Sequence, residues 1–191
     1  MQKELVIIAV LAVVVVVLGV ALYLAKRRSE LRSGALRDQF GPEYERAIAQ
    51  HGDRSRAERE LLSRRNRLDE LNIHPLTEAE ADRFSADWGT VQQRFVDDPS
   101  GAVNEADRLI KDVMKARGYP VGNFDQRVAD LSVEHANVVE HYRAARQLAR
   151  AREEGDVGTE ELRQAMVHYR ALFSDLLRTE QVQPALQPAH A

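Results

Sequence analysis

Between Leu5 and Ala25 the chain carries no charged residue: LVIIAVLAVVVVVLGVALYLA. As a helix rising 1.5 Å per residue this run would span roughly 31 Å, close to the ~30 Å hydrocarbon core of a bilayer. The valines at 13–17 favour a strand in water. A lone strand in lipid would leave its backbone groups unpaired, so a single transmembrane helix is expected. Tyr23 lies near one end of the run, where an amphipathic ring prefers the interface. The competing reading is a cleavable signal peptide, with Gly19 and Ala21 as small residues before a cut. The apolar stretch exceeds the usual length of about 7–15 residues, and Lys3 before it is offset by Glu4, so the anchor is favoured.

Orientation follows from the flanks. Lys26, Arg27 and Arg28 come directly after the run, with Arg32 and Arg37 beyond, against Lys3 before it. Such an excess of cations marks the cytoplasmic side, which places the C-terminal part there. The same three residues are candidate lipid-headgroup contacts, each contributing about 1 kcal/mol near an anionic surface. Their plainer role is that of a stop-transfer signal. They also skew the charge: residues 1–28 sum to +3, leaving −6 for the rest of a chain whose formal charge is −3. An acidic remainder gives no electrostatic reason to bind nucleic acid, and no such partner is expected. The chain has no cysteine, which excludes disulfides, thiolate metal ligands and a cysteine nucleophile.

Beyond the anchor the apolar residues recur with helical period. No segment alternates long enough for a strand, so the fold class is all-α, a multi-helix soluble bundle behind one membrane helix. Four stretches are distinguished: an anchor with its basic flank (1–28), juxtamembrane helices (29–52), a helical domain (53–178) and a Gln/Pro/Ala-rich tail (179–191) expected to be disordered. Excluding anchor and tail, about 150 residues remain, enough to bury roughly two thirds of their chain's surface. Gly34 weakens the first juxtamembrane helix, and Gly41-Pro42 ends it. Asp53 caps a helix running to about Asn72. Thr77 and Glu80 make a capping box, Asp98-Pro99 a cap with a first-turn proline, and Asn123 with Gln126 another cap. Phe84, Trp88, Val91 and Phe95 share one face, as do Ala102, Ala106, Leu109, Val113 and Met114. A longer helix opens near Ser132 and carries Val138, Tyr142, Ala145 and Ala149. Thr159 caps the last, which carries Leu162, Met166, Tyr169, Phe173 and Leu176.

Few residues point to chemistry. Glu134 and His141 are seven apart on one helix, as are Glu161 and His168 on another. Two turns separate such residues by about 10.5 Å along the axis, so neither pair alone holds an ion. A site assembled between helices from His141, His168 and nearby carboxylates is the metal-binding or enzymatic alternative. Glu-x-x-His on two helices, G-x-S-x-G, a phosphate-cradling glycine loop and H-E-x-x-H are all missing. Ser85, Ser132 and Ser174 have no local activating partner, and Asp97-Asp98 and Glu153-Glu154 sit where capping and solvation explain them. No catalytic, cofactor or metal residue is therefore assigned. The arginines at 54, 56, 59, 64, 65 and 67 are interleaved with Glu58, Glu60, Asp69 and Glu70, a salt-bridged helix face rather than a phosphate stripe. The turn at 117–122, RGYPVG, is the most distinctive irregular segment. Tyr119 is expected to plug the core between two helices; the alternative makes Arg117, Tyr119 and Pro120 candidate contacts for a protein partner.

The stretch FVDDPSGAVNEADRLIKDVMKARGYPVGNFDQRVADLSVEHANVVEHYRAA, followed by EELRQAMVHYRALFSDLL, resembles a recurrent bacterial family of unassigned function. Its members are labelled hypothetical membrane or secreted proteins. The resemblance covers most of residues 38–178. It implies a bacterial source and a helical domain behind an N-terminal hydrophobic segment, and brings no site residues. The expected function is a non-enzymatic, membrane-tethered interaction or scaffold module. It would sit in the bacterial inner membrane with its soluble domain in the cytoplasm, its partners the bilayer and another protein. An extracytoplasmic, envelope-associated helical protein is the alternative that the "secreted" labels raise.

Overall fold

Eight helices and no strand make up the described residues of the computed structural model. It describes the backbone of residues 2–153, 155 and 158–178, and the side chains of residues 16–152, 155 and 158–178. The helices are α1 (Gln2–Phe40), α2 (Pro42–His51), α3 (Arg54–Asp69), α4 (Glu78–Arg94), α5 (Pro99–Ala116), α6 (Phe124–Glu134), α7 (Ala136–Glu153) and α8 (Thr159–Leu177). The all-α class is thus the observed one. The tail at 179–191 and the side chains of Glu153 and Glu154 lie outside the described residues.

The chain forms two compact units, Met1–Glu58 and Arg59–Ala191, with the division falling inside α3. In the first unit, α1 runs unbroken through Gly34. A mid-helix glycine costs about 1 kcal/mol relative to alanine, less than the unsatisfied groups that two new helix ends would leave. Side chains 16–32 of α1 are all exposed, and burial begins at Ser33, Leu36 and Phe40. Gly41 adopts a positive φ and Pro42 opens α2, which ends on Gly52 in the left-handed conformation. Tyr44 is fully buried, its hydroxyl donating to Glu58 Oε1 at 2.8 Å and accepting from Arg54 Nε at 3.1 Å. The apolar run 5–25 enters the described side chains only from residue 16, and among the described residues no helix is long and apolar enough to cross a membrane.

In the second unit, caps set most of the helix starts. Thr77 accepts from the Glu80 amide while Glu80 accepts from the Thr77 amide at 2.9 Å, the reciprocal arrangement expected. Asp98 caps Gly101 and Asn123 caps Gln126, both at 2.8 Å. In the first unit, at the start of α3, Asp53 likewise accepts from the Arg56 amide at 2.8 Å.

Two expected boundaries shift. Ser132 does not open a helix: it lies inside α6, its hydroxyl donating to the Ala129 carbonyl at 2.7 Å, and the break comes at His135. Thr159 is the first helical residue and not the cap. Gly158 stands at the cap, where its N–H donates to Glu161 Oε2 at 3.0 Å.

α8 is the central helix of this unit, packed by α7 and α5, with α4 on α5 and α6 on α7. Most of the expected core faces are buried: Phe84, Trp88 and Val91; Ala102, Ala106, Leu109, Val113 and Met114 on α5; Tyr142, Ala145 and Ala149 on α7; Leu162, Met166, Tyr169, Phe173 and Leu176 on α8. Phe95, past the end of α4, and Val138, in the first turn of α7, are only half-buried. Trp88 stacks on Phe173 at 4.7 Å between centroids, an offset-stacking distance that adds to simple burial.

Candidate functional site

The turn after α5 brings its residues inward. Gly118 takes φ +89°, and the His74 N–H donates to the Arg117 carbonyl at 3.0 Å, drawing the turn against residues 72–74. A Cβ at 118 would run into the Asn72 carbonyl, so the turn requires glycine there. Arg117 and Tyr119 are consequently buried, and of the three candidate partner contacts only Pro120 is exposed.

Arg117 reaches the end of α8, where its Nη1 donates to the Leu176 carbonyl at 3.1 Å. A guanidinium at that end satisfies a terminal carbonyl and complements the helix dipole. The same nitrogen lies 3.3 Å from His135 Nε2. Arginine only donates, so His135 Nε2 is the acceptor and its Nδ1 carries the proton, directed at Asp175 Oδ2 2.6 Å away. His135 also ends α6, so one side chain ties the α6–α7 junction to α8. Its hydrogen bond holds the Asp175 carboxyl below the usual carboxylate range, against a partly opposing effect of burial. Tyr119 donates to Glu134, and burial together with that carboxylate raises the phenol far above its ordinary value.

These groups line a cavity of about 220 Å³ formed by Arg117, Glu134, His135, Asn137, Asp175 and Arg178. Chemically it is a polar recess with both signs of charge. Arg117 Nε is buried there without a hydrogen-bond partner among the described residues. His135 resembles the oriented histidine of an acid–base dyad, but its second nitrogen is occupied by Arg117, and the nearby phenol is committed to Glu134. The arrangement ties the turn after α5, the α6–α7 junction and the end of α8 together.

Other sequence candidates fall elsewhere. Lys26, Arg27 and Arg28 are exposed on α1. His141 and His168 meet across α7 and α8, their Nδ1 atoms 2.8 Å apart, a pairing that the seven-residue spacings on each helix did not indicate. Glu60 and Arg64 pair as expected, at 3.2 Å. Arg67 leaves the salt-bridged face to meet Asp130 on α6, an aspartate that is wholly buried. Asp107, also buried, receives Lys111 at 2.6 Å and the Tyr169 hydroxyl at 3.3 Å. Burial raises Tyr169, and it pushes Tyr142, whose oxygen accepts from Arg127 Nε, up to about 12. Asp107 and Asp130 were missed because each looks like another charge on a charged helix; only Ala106 beside Asp107 hints at burial. Finally, Trp88, Phe95, Met166 and Val167 line an apolar groove of about 200 Å³ along α4 and α8, edged by Arg163 and Arg170.

Comparison with family profiles, curated proteins and solved structures returns no match.

Proposed function

We propose that this chain is a single-pass bacterial membrane protein, tethered by residues 5–25, whose helical part is a non-enzymatic interaction module on the cytoplasmic face. One observation carries the reading: Val16, Val17, Leu18, Val20, Leu22 and Leu24 stand 46–71% exposed on α1, directly before Lys26-Arg27-Arg28. A contiguous aliphatic surface of that kind on a helix calls for lipid or a partner to cover it. The basic cluster favours lipid, with the following residues inside. Tethering raises the local concentration of the helical part at the membrane, so weak contacts with a second membrane-associated protein become effective. The apolar groove of α4 and α8 is the face we assign to that contact, since Val167 in it is 55% exposed.

Topology tests the reading, and the cysteine-free chain makes the test clean. Gly155 is exposed but holds φ +88°, where a cysteine would be strained; Gln147, exposed on α7, is the better position. Gln147→Cys in the full chain is treated with a membrane-impermeant maleimide in intact and in lysed cells. Labelling only after lysis, with the protein in the membrane fraction, is the expected result. Labelling of intact cells would place the helical part in the envelope and overturn the orientation. Recovery in the soluble fraction would overturn the tether.

A further inference from the structure

His141 on α7 and His168 on α8 meet at the edge of an antiparallel hairpin, whose sense follows from the opposite order of the His135–Asp175 and His141–His168 contacts. Tyr142 and Tyr169, each next in sequence to one of these histidines, are fully buried and fix the rotation of both helices. The histidines are thereby held half-buried, with Nδ1 atoms 2.8 Å apart and ring centroids 5.1 Å apart. This is a head-on hydrogen bond between two rings, and its survival depends on how many protons the rings carry.

In the uncharged pair, one ring donates its Nδ1–H to the Nδ1 lone pair of the other, whose own proton sits on Nε2. A first added proton has a place that keeps the bond. It enters at Nε2 of the donor ring, which becomes an imidazolium donating to a neutral acceptor, a stronger, charge-assisted contact. A second proton has only the acceptor Nδ1 left to enter. There it consumes the lone pair that held the bond and sets two cations face to face. Both rings are half-exposed, so each can turn away into water while the tyrosines stay packed.

Little else near the pair would mask that change. Positions one turn either side of each histidine, 137, 138, 144 and 145 on α7 and 164, 165, 171 and 172 on α8, hold no charged residue. Within two positions stand Glu140 and Arg143, paired with each other at 2.6 Å, and the exposed Arg170. Two turns away, Glu134 accepts from Tyr119 and Asp175 from His135 at one end of the seam, and Glu161 accepts from the Gly158 amide at the other. From the neighbouring helices, Asp107 on α5, with Lys111 and Arg146, meets the Tyr169 hydroxyl, and Arg127 on α6 meets that of Tyr142.

We propose that His141 and His168 form a pH-sensitive latch on the α7–α8 hairpin, closed while the pair holds at most one added proton and opened by the second. Burial first, and then the neighbouring His141, hold His168 below the ordinary histidine value. The folded state therefore carries fewer protons than the unfolded chain just below about pH 6.5, and stability falls there with falling pH. The latch contributes fully above that value and is lost as pH drops through the lower folded one.

A double-mutant cycle on the full chain in detergent tests the latch: wild type, His141→Ala, His168→Ala and the double variant, unfolded in urea at stepped pH from 8 to 4.5. The cycle cancels the titration of His51, His74, His135 and His190 and of the carboxylates, leaving the coupling between the two rings. That coupling is expected to favour the folded state about fivefold at pH 8, and to fall to unity or reverse by pH 4.5. A coupling absent at pH 8, or unchanged down to pH 4.5, would overturn the latch. If a variant fails to fold, nitrogen NMR of wild type labelled with 15N-histidine decides. Two of the six rings are expected to share a two-step titration whose second step lies below the ordinary histidine value. Six independent single-step titrations would equally overturn it.

Discussion

Asp130 is wholly buried, and its carboxylate rests on Arg67 at 3.2 Å and the Gln126 amide at 2.7 Å, with Oδ2 unpartnered among the described residues. Removing one member of a buried pair leaves the other as an uncompensated charge. Arg67 is 41% exposed, so water already carries part of the interaction. Arg67→Ala is therefore expected to cost about 2–3 kcal/mol in urea unfolding, below the ~3–5 kcal/mol of fully buried pairs. Arg163→Ala breaks a two-toothed contact with Glu160 on the open surface and is expected to leave the transition unchanged. Asp175 makes a pH prediction. Its folded pKa is depressed, so the folded state holds fewer protons than the unfolded chain across that range. Its contribution is complete above the ordinary carboxylate value of about 3.9 and is lost as pH falls through the lower folded value. Asp175→Asn is expected to lower stability near neutrality and to converge on wild type only once the pH has fallen below the depressed folded value of Asp175, measured by urea unfolding at stepped pH.

At the scale of elements, the turn at 117–122 separates two glycines that look alike in sequence. Gly118→Ala meets both a positive φ and the Asn72 carbonyl and is expected to lose about 2–4 kcal/mol. Gly122 has open space around its missing Cβ and no positive φ, so Gly122→Ala is expected to be neutral or to gain up to ~1 kcal/mol through the unfolded chain. Thermal unfolding of the two variants side by side checks the contrast. The same turn shows where sequence reasoning stops. Helix starts at Thr77, Asp98 and Asn123 were legible because a cap and its amide lie within three residues. The break at His135 was not, because Arg117 and Asp175, which hold that residue, are 18 and 40 positions away. Core faces were legible from period alone. The partner of a face was not, and so His141 and His168 looked like members of two separate seven-residue pairs. Arg117 and Tyr119 carried a signal, an aromatic beside an arginine in a glycine turn. That pattern does not say whether the turn points outward or in.

For the whole molecule, the proposed tether turns on the free energy of placing residues 5–25 in lipid. On the insertion scale its Leu, Ile and Val residues contribute on the order of −5 to −9 kcal/mol together, and one central arginine opposes with about +2.5 to +3.5 kcal/mol. Val16→Arg alone is therefore expected to leave most of the protein resistant to alkaline carbonate extraction. Val13→Arg combined with Val16→Arg brings the sum near zero and is expected to release it. A segment that merely packed against protein would show no such graded response, since one buried arginine would already disrupt it. Orientation is the second half of the same balance. With Lys26, Arg27 and Arg28 all changed to Gln, Lys3 with Glu4 stands before the proposed span and Arg32 and Arg37 follow at a distance, so the bias proposed to direct the C-terminal part inward would be nearly gone. In that background, Gln147→Cys is expected to divide between chains labelled in intact cells and chains labelled only after lysis. Retention of a single orientation would show that the helical units, and not the three cations, decide which side they occupy.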